Sequence, residues 1–564
     1  MKSKLLILLA ACAPLAQAQD LTTEITVDRT VAVDLPAADP LPSVTPSLPE
    51  MPAPAVTLRP TQYTSASAFA PSVFNPGMPA YTSLADQSNY RGYAWAGYFP
   101  AVARTVGAGY RFLRKSATSA GIAARYNGDN WNGLHEGERR NSLNIIGVEG
   151  DFNHSFSDMA HVSVSADYTW SRVGSERDKY MIKELKPQLF NKLDLKAGVS
   201  GDNGRFDYAV KLRYYLFSAS NSQYYNGFLS FPQVSDHGVD LGVDLGIDLG
   251  RNSRFDIALG ADFLQAQGTY LVPGWPDATN TVAPHNTQGL YTVNPAFSIS
   301  YGRFSARIGL IANAGSNSPR STFHVAPDIK ITWTPSGHFA FYAMARGGES
   351  YFTLADQYAI SPFLPGISAS GRSFTPADIT AGFNLRVGGN FTADIFASHS
   401  SVRGLQALSF VRSYLPAGVR EYTSMNAVNA KAFYGGVRVG YTLGRILDVK
   451  ASATFYQNGY DHGVADNPYR AKGIVTASIT SHVTEKLDVT AGYELRYGQR
   501  VYGLPSEMTA LPNLSDLSLH ATYALSDRLG FFLSIDNLLC RRTMLVPDIC
   551  SRRLGGIAGV TCRF

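Results

Sequence analysis

From Tyr90 onward the sequence is built of short runs in which every second residue is apolar, and a period of two is the signature of strands. In one run Phe206, Tyr208, Val210 and Leu212 alternate with Asp207, Lys211 and Arg213. In another, Phe255, Ile257, Leu259 and Phe263 alternate with Asp256 and Asp262, and in a third Leu447, Val449, Ala451 and Phe455 alternate with Asp448, Lys450 and Thr454. Each such strand has one face suited to hydrocarbon and one suited to water. A soluble sandwich would bury the charged series, so the pattern predicts an all-β fold, a transmembrane antiparallel β-barrel. Runs counted from Tyr90 to the one beginning near Leu554 give about 22 strands, the size of the large plugged transporters. A smaller barrel of about 14 to 18 strands, with some runs lying in loops, is the alternative.

The connections support the same reading. Short turns fall at Asn203–Arg205, Gly250–Arg254, Gly302–Arg303, Pro335–Gly337, Gly388–Asn390, Gly444–Arg445, Thr484–Lys486 and Ser526–Arg528. Longer segments such as 269–287, 353–372 and 410–430 lie between them. Alternating short and long connections are expected of periplasmic turns and extracellular loops.

Composition fits a barrel better than a soluble enzyme. Only 16% of residues are charged while 12% are aromatic, which suits interfacial girdles more than a solvated surface. Lys2 and Lys4, the apolar run Leu5 to Ala11 and the Ala16-Gln17-Ala18 site have the layout of a secretory signal cleaved after Ala18, giving a segment 1–18. Leu9-Ala10-Ala11-Cys12 also resembles a lipobox, which would leave a lipidated Cys12 instead. Losing Lys2 and Lys4 takes the net charge from +5 to +3, a balance that gives no reason to expect nucleic acid. The segment 19–89 is broken by Pro36, Pro40, Pro42, Pro46, Pro49, Pro52, Pro54 and Pro60 and again by Pro71, Pro76 and Pro79. It is read as an extended periplasmic or luminal arm, ahead of a barrel spanning 90–564.

In the last run Ala558, Val560, Cys562 and Phe564 share one face, and Ile557, Gly559, Thr561 and Arg563 the other. A terminal Phe564 on the apolar face would sit at the membrane interface. With Ile535-Asp536-Asn537-Leu538-Leu539 and the basic loop after it, this hairpin resembles the C-terminal hairpin of TonB-dependent outer-membrane receptors. The resemblance implies an integral barrel in the outer membrane of a Gram-negative cell, in contact with outer-membrane lipid. It also implies insertion by the barrel-assembly machinery, with Phe564 as part of the assembly signal. Near the start of the arm, Glu24-Ile25-Thr26-Val27 looks like the stretch through which such receptors meet an energy-coupling periplasmic protein, by adding a strand to a sheet edge. A plain β-like lead-in to the proline arm is the other reading. The arm departs from the family, because no folded plug domain is legible ahead of the barrel.

The resemblance therefore points to a plug-deficient relative of these receptors acting in transport or assembly, its lumen closed by its arm, its loops, or a plug or lid partner. A passive or selective channel and a structural scaffold for outer-membrane complexes are the alternatives. The repeat around Asp240, Asp244 and Asp248 sets carboxylates on one strand face, roughly 13 Å apart, too far for shared ligation within the strand. It is read as an acidic lumen wall, and calcium binding with Asp256 or Asp262 is the rival reading. Trp275, Tyr351, Phe352, Tyr358 and Tyr414 are the loop aromatics suited to gripping a ligand or partner, or else to packing the loops. Cys540 and Cys550 flank the last loop, either bridged or as two unpaired residues, and Cys562 reads as an apolar filler. Neither a hydrolase nucleophile elbow nor a zincin helix, P-loop or dinucleotide fingerprint is present. The sequence thus predicts no enzyme, no cofactor and no metal site.

Overall fold

The computed structural model describes residues 90–564 apart from turn and loop stretches, of which 176–186, 272–280, 361–370 and 461–470 are the longest. The segments 1–18 and 19–89, with Cys12 and Glu24-Ile25-Thr26-Val27, lie outside the described residues, as does Trp275.

The strands are β1 (Gly92–Phe99), β2 (Ala103–Lys115), β3 (Thr118–Asn132), β4 (Arg140–Ser157), β5 (Ala160–Ser175), β6 (Gln188–Asp202), β7 (Phe206–Gln223), β8 (Ser230–Gly250) and β9 (Ser253–Leu271). They continue with β10 (Thr281–Tyr301), β11 (Phe304–Ser316), β12 (Thr322–Ser336) and β13 (Phe339–Phe352). A short helix, α1 (Leu354–Ile360), follows β13. Then come β14 (Gly371–Val387), β15 (Phe391–Leu415), β16 (Gly418–Leu443), β17 (Leu447–Tyr460), β18 (Gly473–Thr484) and β19 (Leu487–Tyr497). The chain ends with β20 (Arg500–Tyr502), β21 (Met508–Ala510), β22 (Leu514–Ala524), β23 (Leu529–Asp536), β24 (Met544–Val546), β25 (Ile549–Cys550) and β26 (Gly555–Arg563).

Twenty-two of these strands form one sheet in which each pairs antiparallel with its neighbours in sequence. β1 closes it onto β26, from Tyr93 opposite Arg563 to Tyr98 opposite Ala558. The Gly92 and Phe564 backbones complete the seam through reciprocal N–H···O bonds of 2.7 and 2.9 Å. β20–β21 and β24–β25 are small separate hairpins. The strand number expected from apolar alternation is therefore the observed one.

Faces sort as the alternation requires. Val210, Leu212, Val239, Leu241, Leu259 and Phe263 are exposed on the outer face, an apolar belt suited to lipid. Near the short turns Phe156, Tyr301, Trp333, Tyr441 and Phe564 stand exposed as an aromatic rim, with Phe564 stacked beside Tyr110. Cys562 is exposed and free on this same face. The short turns reverse the chain tightly: Gly204, Gly302, Gly388 and Gly444 take φ of 85°, 55°, 59° and 54°, where a side chain would be strained.

At the other end the strands run further than the sequence indicates. The stretch 410–430, read as a loop, is a continuous ladder from Leu405 opposite Val428 to Leu415 opposite Gly418. β15 is 25 residues long, roughly 80 Å at strand rise, where about 10 residues cross a bilayer. Apolar alternation marks only the part of a strand that faces hydrocarbon. Beyond it the backbone ladder continues with either kind of side chain on either face, so the strand ends of β8, β10 and β16 also precede the apolar runs that identify them. Cys540 is free among the described residues, and the side chain of Cys550 lies outside them.

Candidate functional site in the barrel lumen

The inward series of the wall is where chemistry can occur, and on β6 to β12 it is a ladder of ion pairs. Arg213 on β7 forks onto Asp194 of β6 with bonds of 2.9 and 2.8 Å, and reaches Asp240 of β8 at 3.4 Å. Lys211 pairs with Asp244 at 2.7 Å. Closer to the short-turn end, Arg254 joins Asp207 at 2.7 Å and Asp256 at 2.6 Å, and Arg307 joins Asp256 at 2.6 Å and Asp328 at 3.4 Å. Asp248 accepts the Gly250 N–H at 2.8 Å. This corrects the reading of an acidic wall. The aspartates of β8 lie beside basic residues of β7, set by the register Arg213–Asp240 and Lys211–Gly242. This stretch of the wall is zwitterionic, with acidic and basic side chains interleaved across neighbouring strands.

Towards the long-loop end the inward series turns apolar. Leu143 of β4, Val173 of β5, Phe190 of β6, Phe217 and Ala219 of β7 and Val234 of β8 form one buried cluster with Leu354 and Tyr358 of α1. All six wall residues belong to the inward series, so α1 lies inside the barrel. It leaves β13 and docks on the inner face of β4 to β8, at the mouth of the lumen.

Local sequence explains the helix. Thr353 Oγ1 accepts the Asp356 N–H at 3.2 Å, and Asp356 Oδ2 accepts from the Thr353 N–H at 2.9 Å and its hydroxyl at 2.8 Å, a reciprocal capping box. The Leu354 N–H, left without a partner inside the helix, donates to buried Asp236 Oδ2 of β8 at 2.5 Å. Tyr358 places its ring 5.0 Å from Phe190 and 5.6 Å from Phe217, measured between centroids. Burying Leu354 and Tyr358 contributes about 1.5–3 kcal/mol each.

The base of this inward loop is braced at β13. A bulge between Arg346 and Gly348 turns Glu349 inward, onto the face that Arg372 of β14 shares with Phe374, Asp378 and Thr380. Glu349 and Arg372 pair at 3.3 Å with both side chains 3% exposed. Thr322 donates to Glu349 at 3.1 Å, His324 Nδ1 lies 3.3 Å from it, and the Glu349 N–H donates to Asn313 at 3.0 Å. Arg372 also donates to the Gly289 carbonyl at 3.0 Å. Tyr351, two residues beyond Glu349, donates to the Asp262 carbonyl of β9 at 3.3 Å.

Of the loop aromatics, then, Tyr351 reaches β9, Phe352 ends β13 opposite Gly371, and Tyr358 is taken up by internal packing on β6 and β7. Tyr414 lies in β15 opposite Val419. Sequence reasoning missed Leu354, Asp236 and the wall residues that receive α1. The signal was available in the capping box and in the change of the inward series from Asp207, Lys211 and Arg213 to Tyr215, Phe217 and Ala219.

In sequence, neither a family model nor a curated protein matches this chain. In structure it is similar to the FrpB iron transporter of Neisseria meningitidis in its apoprotein form, with a TM-score of 0.65 at 12% identity over 85% of this chain and 81% of that one. The siderophore receptor PirA of Acinetobacter baumannii superposes with a TM-score of 0.62 at 10% identity, over 84% and 80%. The ferric-catecholate import receptor Fiu of E. coli gives 0.62 at 9% identity, over 84% and 82%. At such identities the likeness establishes the barrel fold.

Proposed function

We propose that this chain is a non-enzymatic outer-membrane transporter of the TonB-dependent receptor kind, whose lumen is closed from within its own sequence and without a separate folded plug. The observation that carries this reading is α1, an inward-folded loop segment docked across the mouth of a 22-strand barrel. A barrel of that size encloses a lumen that must be filled or else conducts water. One short helix covers part of the opening. The proline-rich segment 19–89 supplies the rest of the obstruction, with Glu24-Ile25-Thr26-Val27 as the strand that an energy-coupling periplasmic protein takes up. The names of the neighbouring structures, an iron transporter and two receptors for iron chelates, support import as the direction of transport.

Deleting residues 19–89 while keeping the signal segment tests the assignment. In planar bilayers the shortened chain is expected to show a large, steady conductance where the intact chain shows little. A shortened chain as silent as the intact one would remove the arm from the obstruction.

A further inference from the structure

The outer wall beside the seam carries a groove of about 610 Å³ that opens sideways onto the lipid face. Its floor is Ala94 and Ala96 of β1, Ala108 of β2 and Ala124 of β3, with Ile146 of β4 and Val560 of β26 at its sides. Small side chains on three adjacent strands leave this hollow between Val106, Ile146 and Val560.

Directly above it, towards the long-loop end, one cross-strand row reads Tyr98, Arg104, Gly128, Asn144, Arg172. Arg104 and Arg172 are exposed on the lipid-facing side. A Cβ on Gly128 would overlap the Arg104 and Tyr126 side chains, so the glycine lets Arg104 lie across β3. There Arg104 Nε donates to Tyr126 at 2.8 Å and Nη2 to Asn144 at 3.1 Å. Asn144 of β4 stands directly opposite Arg172 of β5, so the Arg104 guanidinium ends on the strand next to Arg172. The row holds no carboxylate. An arginine on the lipid face of a barrel costs about 2–4 kcal/mol at mid-bilayer and about 0–1 near the interface, which suits this row to headgroup level.

We propose that this is a site for an anionic membrane lipid with a terminal phosphate, that phosphate held by Arg104 and Arg172 and one acyl chain lying in the alanine-floored groove. Guanidinium groups recognise phosphate through paired N–H···O bonds, and Arg104 spends only two of its five donors on Tyr126 and Asn144.

Native mass spectrometry of the full-length protein in a neutral detergent, titrated with dimyristoyl phosphatidate or dimyristoyl phosphatidylcholine, tests it. One phosphatidate is expected to bind about tenfold or more tightly than phosphatidylcholine, the scale of one charge-assisted contact. Arg104→Gln with Arg172→Gln should abolish that preference. Ala108→Leu, which fills the groove and leaves both arginines in place, should weaken phosphatidate by a similar factor. Heat-modifiable migration shows that each variant is folded. Equal affinity for the two lipids, or undiminished phosphatidate affinity in either variant, overturns the proposal.

Discussion

A Tyr358→Ala chain is expected to pass a larger and more frequent single-channel current than the intact protein. Tyr358 is 6% exposed and set against Phe190 and Phe217 of the wall. Truncating a buried aromatic side chain of this kind costs about 3–5 kcal/mol. That cost falls on the docking of α1, because the helix is seven residues long and Tyr358 is the aromatic side chain it sets into the buried cluster. The ratio of docked to undocked helix should fall at least about a hundredfold. The strand ladder, which does not involve Tyr358, keeps the barrel folded. Cells carrying the variant should also become sensitive to large antibiotics that the outer membrane excludes. An unchanged current from a folded variant would mean that α1 is not part of the obstruction.

Gly559→Val is expected to prevent the barrel from closing. Gly559 lies on the inward face of β26, opposite Gly97 of β1 on one side and Phe532 of β23 on the other. A Cβ at this position would overlap the carbonyl oxygen of Ala96 and the ring of Phe532. The ring can turn, but the carbonyl belongs to the ladder by which β1 closes onto β26. Overpacking a core position costs about 1–3 kcal/mol. Displacing β1 adds the loss of seam hydrogen bonds, and an open seam leaves two long edges unpaired in lipid. The variant should lose heat-modifiable migration and accumulate as unfolded chain. Gly242→Ala is the matched control, since a Cβ there meets only Lys211 Cβ at 3.9 Å. It should fold like the intact protein.

Much of this architecture could be read from the sequence because lipid enforces a pattern. Phe255, Leu259 and Phe263 must be apolar to face hydrocarbon, and that necessity repeats on every strand, so the strands could be counted. Where lipid stops, the enforcement stops too. The upper parts of β15 and β16 carry residues such as Arg412, Ser413, Arg420 and Glu421, which read as loop although their backbones are paired. The candidate site was less legible. Asp240 and Asp244 look like an acidic stripe until the register brings Arg213 and Lys211 beside them, and register between strands is not written in either strand alone. Tyr358 was visible as a loop aromatic. Its destination depends on Phe190, Phe217 and Val234 converging from three strands, a fact of topology and not of spacing.

The most direct test of the central claim is the current through the intact, purified chain in a planar bilayer, with mass spectrometry of the same sample to identify any companion protein. A pure chain is expected to insert and stay largely silent, because the obstruction is its own. A large, steady current from the pure chain, or silence found only with a stoichiometric companion, would contradict it.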